Sequence, residues 1–302
     1  MILIVGSTGY LGSAVTKKLA AAGQPVTALV RDLASEKARA LKAAGARLAL
    51  GDLKDRASLE RALDGVDTVI CTASSTLSRR EGDSLETVDG QGVQSLVDAA
   101  EKKGVRRFIF VSFSRNITVD TPLARYKRAA EKRLESSRLD YTILLPTYFA
   151  DVWLTPAVGF DAAGGKVTVY GDGTAKVSYV ALEDVAQAVV ACVDDPKASR
   201  QAIPVGGAKA YSQLEAVELV ERATGRRLQR EHMSAEQIAA ARAAAGDPMQ
   251  ASFLGLFDAL AGGDVIPPDA VRALGVRPSS LEEWVGRAFA PQRSGSDSSR
   301  RT

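Results

Sequence analysis

Four apolar residues, Ile2-Leu3-Ile4-Val5, run directly into Gly6-Ser7-Thr8-Gly9-Tyr10-Leu11-Gly12, and a helical pattern follows over residues 11–22. Few sequence features restrict a fold so tightly. A glycine pattern alone is weak evidence, but one that closes a strand and opens a helix is the context of a dinucleotide-binding loop. Gly6 permits the tight turn, Gly9 lets the backbone approach a pyrophosphate, and Gly12 allows the helix to pack closely on the sheet. The pyrophosphate then rests on unpaired N–H groups at the helix N-terminus, which places Ser7, Thr8, Tyr10 and Leu11 in the same cradle.

The rhythm continues through the first half of the chain. Residues 2–5, 26–30, 47–50, 68–71, 108–111 and 141–145 are short and nearly all apolar, as strands covered on both faces of a parallel sheet should be. Helical patterns separate them at 11–22, 35–44, 57–63, 84–102 and 123–137, the fourth with Leu85, Val88, Leu96, Val97 and Ala100 on one face. Alternating strands and helices predict an α/β fold with a doubly wound parallel sheet over residues 1–150.

After Pro146 the pattern changes. Runs at 166–170 and 176–180 flank Gly171-Asp172-Gly173 and predict a hairpin-like return. Helices are expected at 182–193, 212–223 with Ser212 as N-cap, 234–245, 249–261 and 281–289. Residues 202–205 read as a strand, and the stretch 176–206 is expected to return to the core. Residues 151–290 otherwise form a smaller, mostly helical substrate cap. The tail 291–302 lacks apolar residues after its proline and is expected to be disordered.

Composition excludes several classes of function. Net charge is only +3, so there is no electrostatic case for nucleic acid or a membrane surface. No apolar run approaches the ~18 residues of a membrane span. With Met1–Val5 leading straight into the glycine loop, no secretory signal is expected, and the cytoplasm is the expected compartment. The single histidine, His232, has no partner ligands for a metal site, and its Arg-Glu-His-Met-Ser surroundings read as a strand end before a helix cap rather than a hydrolase triad. Cys71 and Cys192 both lie in apolar patterns and read as buried free thiols.

The second strand ends Ala28-Leu29-Val30-Arg31-Asp32. A site for NAD wants a carboxylate there for the ribose hydroxyls, whereas a 2′-phosphate favours an arginine. Arg31 comes first and Lys37 follows in the next helix, which predicts NADP(H) in preference to NAD(H). The alternative is a solvated Arg31 with Asp32 on the ribose. Gly51-Asp52-Leu53 closes the third strand, where Asp52 can accept from the adenine amino group or can equally be a turn or cap residue. Thr72-Ala73-Ser74 closes the fourth strand with small residues that let the backbone pass beside a cofactor.

These segments resemble the NmrA-like group of atypical short-chain dehydrogenase/reductases. The resemblance rests on the glycine loop, Leu29-Val30-Arg31-Asp32 and Gly51-Asp52-Leu53. It continues through residues 99–108 with Val111-Ser112, Lys127-Arg128-Ala129-Ala130-Glu131, residues 139–146 and residues 179–186, spanning about residues 1–290. It implies a Rossmann sheet and an NAD(P)-binding protein. Its parent group uses Tyr-x-x-x-Lys with a serine on the preceding strand. Lys127 matches the lysine, Ser112 or Ser114 the serine, and Leu123 stands at the tyrosine. Tyr126 is adjacent to Lys127 and so points about 100° away on a helix. Pro146-Thr147-Tyr148-Phe149 matches the segment that passes the nicotinamide carboxamide, with Tyr148 or Phe149 able to stack on a planar substrate or to serve as core.

The resemblance therefore implies an NADPH-dependent reductase acting on a small aromatic or quinonoid acceptor, with Lys127 as the main catalytic residue. Two alternatives stand beside it: a non-catalytic sensor of the nicotinamide redox state, and a redox-neutral sugar-nucleotide epimerase or dehydratase, disfavoured by Leu123. The expected partners are a small-molecule substrate and no metal, and the sequence is compatible with a homodimer.

Overall fold

The computed structural model describes residues 1–78 and 80–289, so the expected tail at 291–302 lies outside the described residues. The first half runs β1 (Ile2–Val5), α1 (Tyr10–Ala21), β2 (Val26–Val30), α2 (Glu36–Ala43), β3 (Arg47–Leu50), α3 (Arg56–Ala62) and β4 (Thr68–Cys71). A π-helical segment (Leu85–Gly92) then continues as α4 (Val93–Lys102), followed by β5 (Arg107–Val111), α5 (Pro122–Glu135) and β6 (Asp140–Pro146). The second half contains α6 (Ala150–Trp153), β7 (Phe160–Asp161), β8 (Lys166–Tyr170), β9 (Lys176–Val177), α7 (Leu182–Ala191) and β10 (Gln201–Val205). It closes with β11 (Tyr211–Ser212), α8 (Gln213–Thr224), β12 (Gln229–Met233), α9 (Ala235–Ala243), α10 (Pro248–Gly262), α11 (Asp269–Arg272) and α12 (Leu281–Ala288).

Seven strands form one parallel sheet in the order β10-β6-β5-β4-β1-β2-β3. The inner strands β1, β2, β4 and β5 are buried along their whole length, which is why they read as continuous apolar runs, whereas the edge strand β3 keeps Arg47 and Leu50 exposed. Ile2 and Ile4 pack with Val15 and Leu19 of α1 and Val185 and Val189 of α7. Leu3 and Val5 face the other way, toward Leu59 of α3, Leu96 of α4 and Leu134 of α5. Strand order reverses between β1 and β4, and the crevice beyond the carboxyl ends of those strands is where open α/β sheets take their ligands.

The sequence-based expectation differs from the structure in three places. Residues 84–102 are not one α-helix, since the first turns, Leu85–Gly92, are π-helical. All five residues assigned to its apolar face are nonetheless buried. The strands either side of Gly171-Asp172-Gly173 do not pair with each other. β8 pairs antiparallel with β7 and parallel with β12, while β9 is only two residues long and pairs with β11. Both glycines have positive φ, 71° and 75°, and the Gly171 N–H donates to Met233, which turns the chain away from β8. The region after β6 therefore carries a three-stranded sheet of its own among its helices. That region has a separate apolar cluster around Tyr148, Tyr170, Tyr211, Val217 and Leu260, with the Tyr170 and Phe257 rings stacked at 4.1 Å.

Cys71 and Cys192 are free and fully buried, and burial pushes their thiols up to about 11 and about 12. The Cys192 carbonyl is one partner of Arg107, whose guanidinium is 2% exposed at the amino end of β5. Arg107 also donates to Asp140 at 2.7 Å and to Thr142 at 2.9 Å. Removing it strands a buried carbonyl and a half-buried carboxylate together. Arg107→Ala is expected to lower unfolding stability by about 3 kcal/mol or more in urea denaturation. It should leave ligand binding intact, because it lies at the end of the sheet opposite the crevice.

Candidate functional site

The glycine loop is built by contact distances that leave no room for side chains. Gly6 has φ 84°, and a Cβ there would stand 2.7 Å from the Ala73 nitrogen. A Cβ on Gly12 would stand 2.2 Å from the Gly6 oxygen and 2.7 Å from Thr72 Oγ1, so α1 seats directly on the loop and the end of β4. Gly9 differs. Its φ is an ordinary −75°, and a Cβ would touch only the Gly6 oxygen, at 3.2 Å. Gly9 is the N-cap of α1, with no side-chain cap and no acidic residue in the first turn. The amides of Tyr10, Leu11 and Gly12 thus head a helix that no side chain of its own caps, a cradle for an anion. Ser7 is fully buried and its hydroxyl donates to the Leu29 carbonyl at 2.7 Å, so its side chain ties the loop to β2. Thr8 is half-buried and the Tyr10 ring is exposed.

Lys127 enters the crevice from α5. Its side chain is 6% exposed, with Nζ 3.2 Å from the Ala73 carbonyl, 3.3 Å from Asp89 Oδ1, and 5.1 Å from the centre of the Phe110 ring. Asp89 lies in the π-helical segment and is fully buried. Its other oxygen accepts from the Ser75 amide at 2.9 Å and the Ser75 hydroxyl at 2.7 Å. Leu123, one turn before Lys127, is buried and its amide donates to Ser252 Oγ at 3.1 Å. Tyr126 lies on a different side of α5, its ring against Gly90, where a Cβ would come within 2.6 Å. It does not replace the missing tyrosine.

Both candidate serines are already engaged. Ser112 donates to Glu131 Oε1 at 2.5 Å, and Glu131 also holds Arg115 and Arg128. Ser114 donates to Asp264 Oδ1 at 3.0 Å, an oxygen shared with Asn116 at 2.8 Å. At the end of β6, Pro146 accepts from the Ser114 amide, while the Thr147 hydroxyl just beyond is buried without a hydrogen-bond partner among the described residues. Phe149 is half-buried against the core. Tyr148 is 3% exposed, edge-on to Trp153, and donates to the Leu256 carbonyl at 3.1 Å. Burial, with Asp264 nearby, holds its phenol well above its ordinary value. In this arrangement Tyr148 is part of the apolar cluster.

At the other end of the crevice, Arg31 follows β2 and donates to Asp83 Oδ2 at 2.5 Å. Lys54 bridges Asp83 Oδ1 at 2.5 Å and Asp52 Oδ2 at 3.0 Å. Burial works against the Asp83 charge, but hydrogen bonds from Lys54, Ser78 and Arg31 pull its carboxyl down to about 2. Asp32 is held in a local turn by the Ala34 amide at 2.8 Å, and Lys37 stands exposed on the first turn of α2. Leu53 turns inward and joins the core. Thr72 Oγ1 reaches the Val5 carbonyl at 3.3 Å, and the exposed Ser74 hydroxyl reaches Thr76 at 3.3 Å.

A model of the NmrA-like family matches residues 1–284. The chain belongs to the NmrA-like family. Among curated relatives it is 32% identical over 250 residues to an NAD(P)H azoreductase of Xenophilus azovorans, covering 82% of each chain. It is also 32% identical over 225 residues to the photosystem II assembly factor Ycf39 of a Synechocystis strain, covering 74% of this chain and 68% of the relative. An NADPH-dependent quinone oxidoreductase of Escherichia coli, solved with NADPH, superposes with a TM-score of 0.77 at 23% identity, covering 96% of this chain and 100% of that one. That last likeness is one of fold.

For this NmrA-like protein the donors present fit a dinucleotide. The chain offers uncapped amides at α1, a buried lysine at the end of β4, an orphaned Thr147 hydroxyl, and basic side chains beyond β2. Among the described residues, no group of three or more acidic, cysteine or histidine side chains could hold a metal. Reading the sequence alone missed Asp89, Asp83, Lys54 and Asp264. Asp89 carried a signal, because a carboxylate interrupts the apolar stripe of Leu85, Val88 and Val93. The other three lie in segments with no pattern. The loop geometry generates a direct test. Gly9→Val should abolish dinucleotide binding in calorimetric titration while the protein still folds with only a modest loss of melting temperature, since the Gly9 φ suits any residue and a Cβ meets only the Gly6 oxygen, at 3.2 Å.

Proposed function

We propose that this chain is an NADPH-dependent reductase of the cytoplasm, acting on a small aromatic or quinonoid acceptor. The observation that carries the reading is the position of Lys127, buried at the carboxyl end of β4 and 3.2 Å from the Ala73 carbonyl, beside the glycine loop. A lysine on a helix surface would have no reason to be there. Its location suits an ammonium that holds a ribose and faces the reacting end of a bound nicotinamide. The azoreductase relative supports reduction of an aromatic acceptor.

NADPH, when bound, supplies the hydride. The α1 amides would hold the pyrophosphate, Arg31 and Lys54 a 2′-phosphate, and the unpartnered Thr147 hydroxyl the carboxamide. Lys127 stabilises negative charge that grows on the acceptor oxygen. Leu123 has no proton to give, and the Ser112 and Ser114 hydroxyls are committed to carboxylates. An acceptor whose reduced anion can take its proton from water fits such a site better than an isolated ketone does. This also disfavours an epimerase or dehydratase, which needs an acid–base group at position 123.

The lack of a free proton donor at Leu123, Ser112 and Ser114 favours a second reading, a dinucleotide-binding regulator, and the assembly-factor relative supports it. Single-turnover NADPH oxidation against a panel of quinones and azo dyes separates the two. Acceptor-dependent oxidation is expected for the wild type, whereas tight NADPH binding with no oxidation across the panel favours the regulator. In a reductase, Lys127→Ala should lower the rate about 10²–10³-fold while weakening NADPH binding far less, because the ammonium meets its strongest charge only during transfer. Lys127→Ala leaves Asp89 buried without a counter-charge. The Lys127→Ala/Asp89→Asn pair should recover stability but not turnover.

A second expectation concerns cofactor choice. The wild type should bind NADPH about tenfold or more tightly than NADH, and Arg31→Ala should remove that preference. Parallel titrations of the two dinucleotides check it.

A further inference from the structure

We propose that Asp83 sets the balance between NADPH and NADH by occupying, from within the chain, the place a 2′-phosphate would take on Arg31 and Lys54. The inference rests on the dinucleotide reading above. One carboxylate oxygen accepts from Lys54 Nζ at 2.5 Å, and the other accepts from Arg31 Nη1 and Ser78 Oγ, both at 2.5 Å. A guanidinium, an ammonium and a hydroxyl converging on two oxygens form the donor set a phosphate monoester uses. The carboxylate is also the innermost member of the group. Its side chain is 2% exposed, while those of Arg31 and Lys54 are 35% and 27% exposed.

Charge decides what this arrangement accepts. Arg31 and Lys54 carry two positive charges, and Asp83 and Asp52 carry two negative charges in contact with them. A neutral 2′-hydroxyl meets no penalty at such a balanced cluster and can donate to a carboxylate. A 2′-phosphate brings up to two further negative charges, and with Asp83 seated it meets like-charge repulsion and occupied donors. NADPH therefore binds with Asp83 displaced, whereas NADH binds with Asp83 in place. Specificity here comes from an internal competitor as much as from an attractive arginine.

The surrounding chain lets Asp83 act alone. Gly82 before it has φ 77°, and Ser84 after it supplies both halves of the cap on the π-helical segment with Thr87. The Asp83 side chain takes no part in that cap, so replacing it leaves the helix start intact.

The test compares wild type, Asp83→Asn and Arg31→Ala by calorimetric titration with NADPH, NADH, 2′,5′-ADP and ADP at fixed low salt, a readout independent of turnover. Asp83→Asn should tighten NADPH and 2′,5′-ADP at least about tenfold and change NADH and ADP by no more than about twofold. An unchanged ratio, or one that moves toward NADH, overturns the proposal. If Asp83→Asn does not fold, hydrogen exchange on the wild type decides instead. The amides of residues 82–84 should exchange faster with NADPH bound than with NADH bound, and equal exchange overturns the proposal. If Arg31→Ala abolishes the preference while Asp83→Asn leaves it untouched, the cofactor reading stands and this inference falls. If neither dinucleotide binds the wild type, the cofactor reading fails and takes the inference with it.

Discussion

A lysine ammonium cannot stay charged inside a protein without a counter-charge, and the Lys127–Asp89 pair is the constraint around which the crevice is arranged. Taking either ion from water costs several kcal/mol. The pair is supported by neighbours on both sides: Ala73 accepts from the ammonium, and Ser75 donates twice to one oxygen of the carboxylate, leaving the other oxygen to the ammonium alone. Those partners come from three separate pieces of chain, the end of β4, the π-helical segment and α5. Holding them together requires close approach elsewhere. Gly90 gives the Tyr126 ring its place beside Lys127, and Gly92 lies against Leu53, where a Cβ would come within 2.8 Å of the leucine Cβ. π-Helical turns recur at functional sites, and here one presents a carboxylate to a lysine.

The large-scale fold was legible because its causes are local. Strands buried on both faces have to be apolar, helices over them have to be amphipathic, and a phosphate loop has to carry glycine, so six strands and the loop could be read directly. The π-helical turns were not legible. Leu85 and Val88 lie before Asp89, and Leu96, Val97 and Ala100 lie well beyond it, so the apolar face looks helical either way and a slip of one residue per turn leaves no mark. β12 was legible only at its end, where residues 230–233 before the Ser234 cap read as a strand end, while its start and its partner strand were not. Gln229-Arg230-Glu231-His232-Met233 is polar and mostly exposed, and only its pairing with β8 makes it a strand.

The same distinction holds within the site. Gly6, Gly9, Gly12, Arg31 and Lys127 were legible because each belongs to a short motif with a mechanical reason for its residue type. Asp264 lies 150 residues from Ser114, and no periodicity links them. Yet Asp264 joins two regions: its side chain accepts from Ser114 and Asn116, while its backbone exchanges hydrogen bonds with Lys176 and Ser178. One of the two hydroxyls that family resemblance offers as catalytic groups, that of Ser114, is thereby drawn into the seam between the sheet and the region beyond it, while Ser112 is held by Glu131.

The seventh strand has a consequence for how the molecule is made. β10 pairs with β6 along five residues, from Gln201 opposite Thr142 to Val205 opposite Pro146, and the Thr147 amide continues the ladder to Val205. Until residue 205 has been synthesised, β6 is an outer strand with Ile143, Leu144 and Leu145 in its middle and a row of unpaired backbone groups along one side. Such an edge is a template for pairing with other chains. The nascent protein therefore passes through an interval of about 55–60 residues, roughly 3–12 s of translation, in which the ligand-binding half is nearly complete but its most adhesive edge is still open.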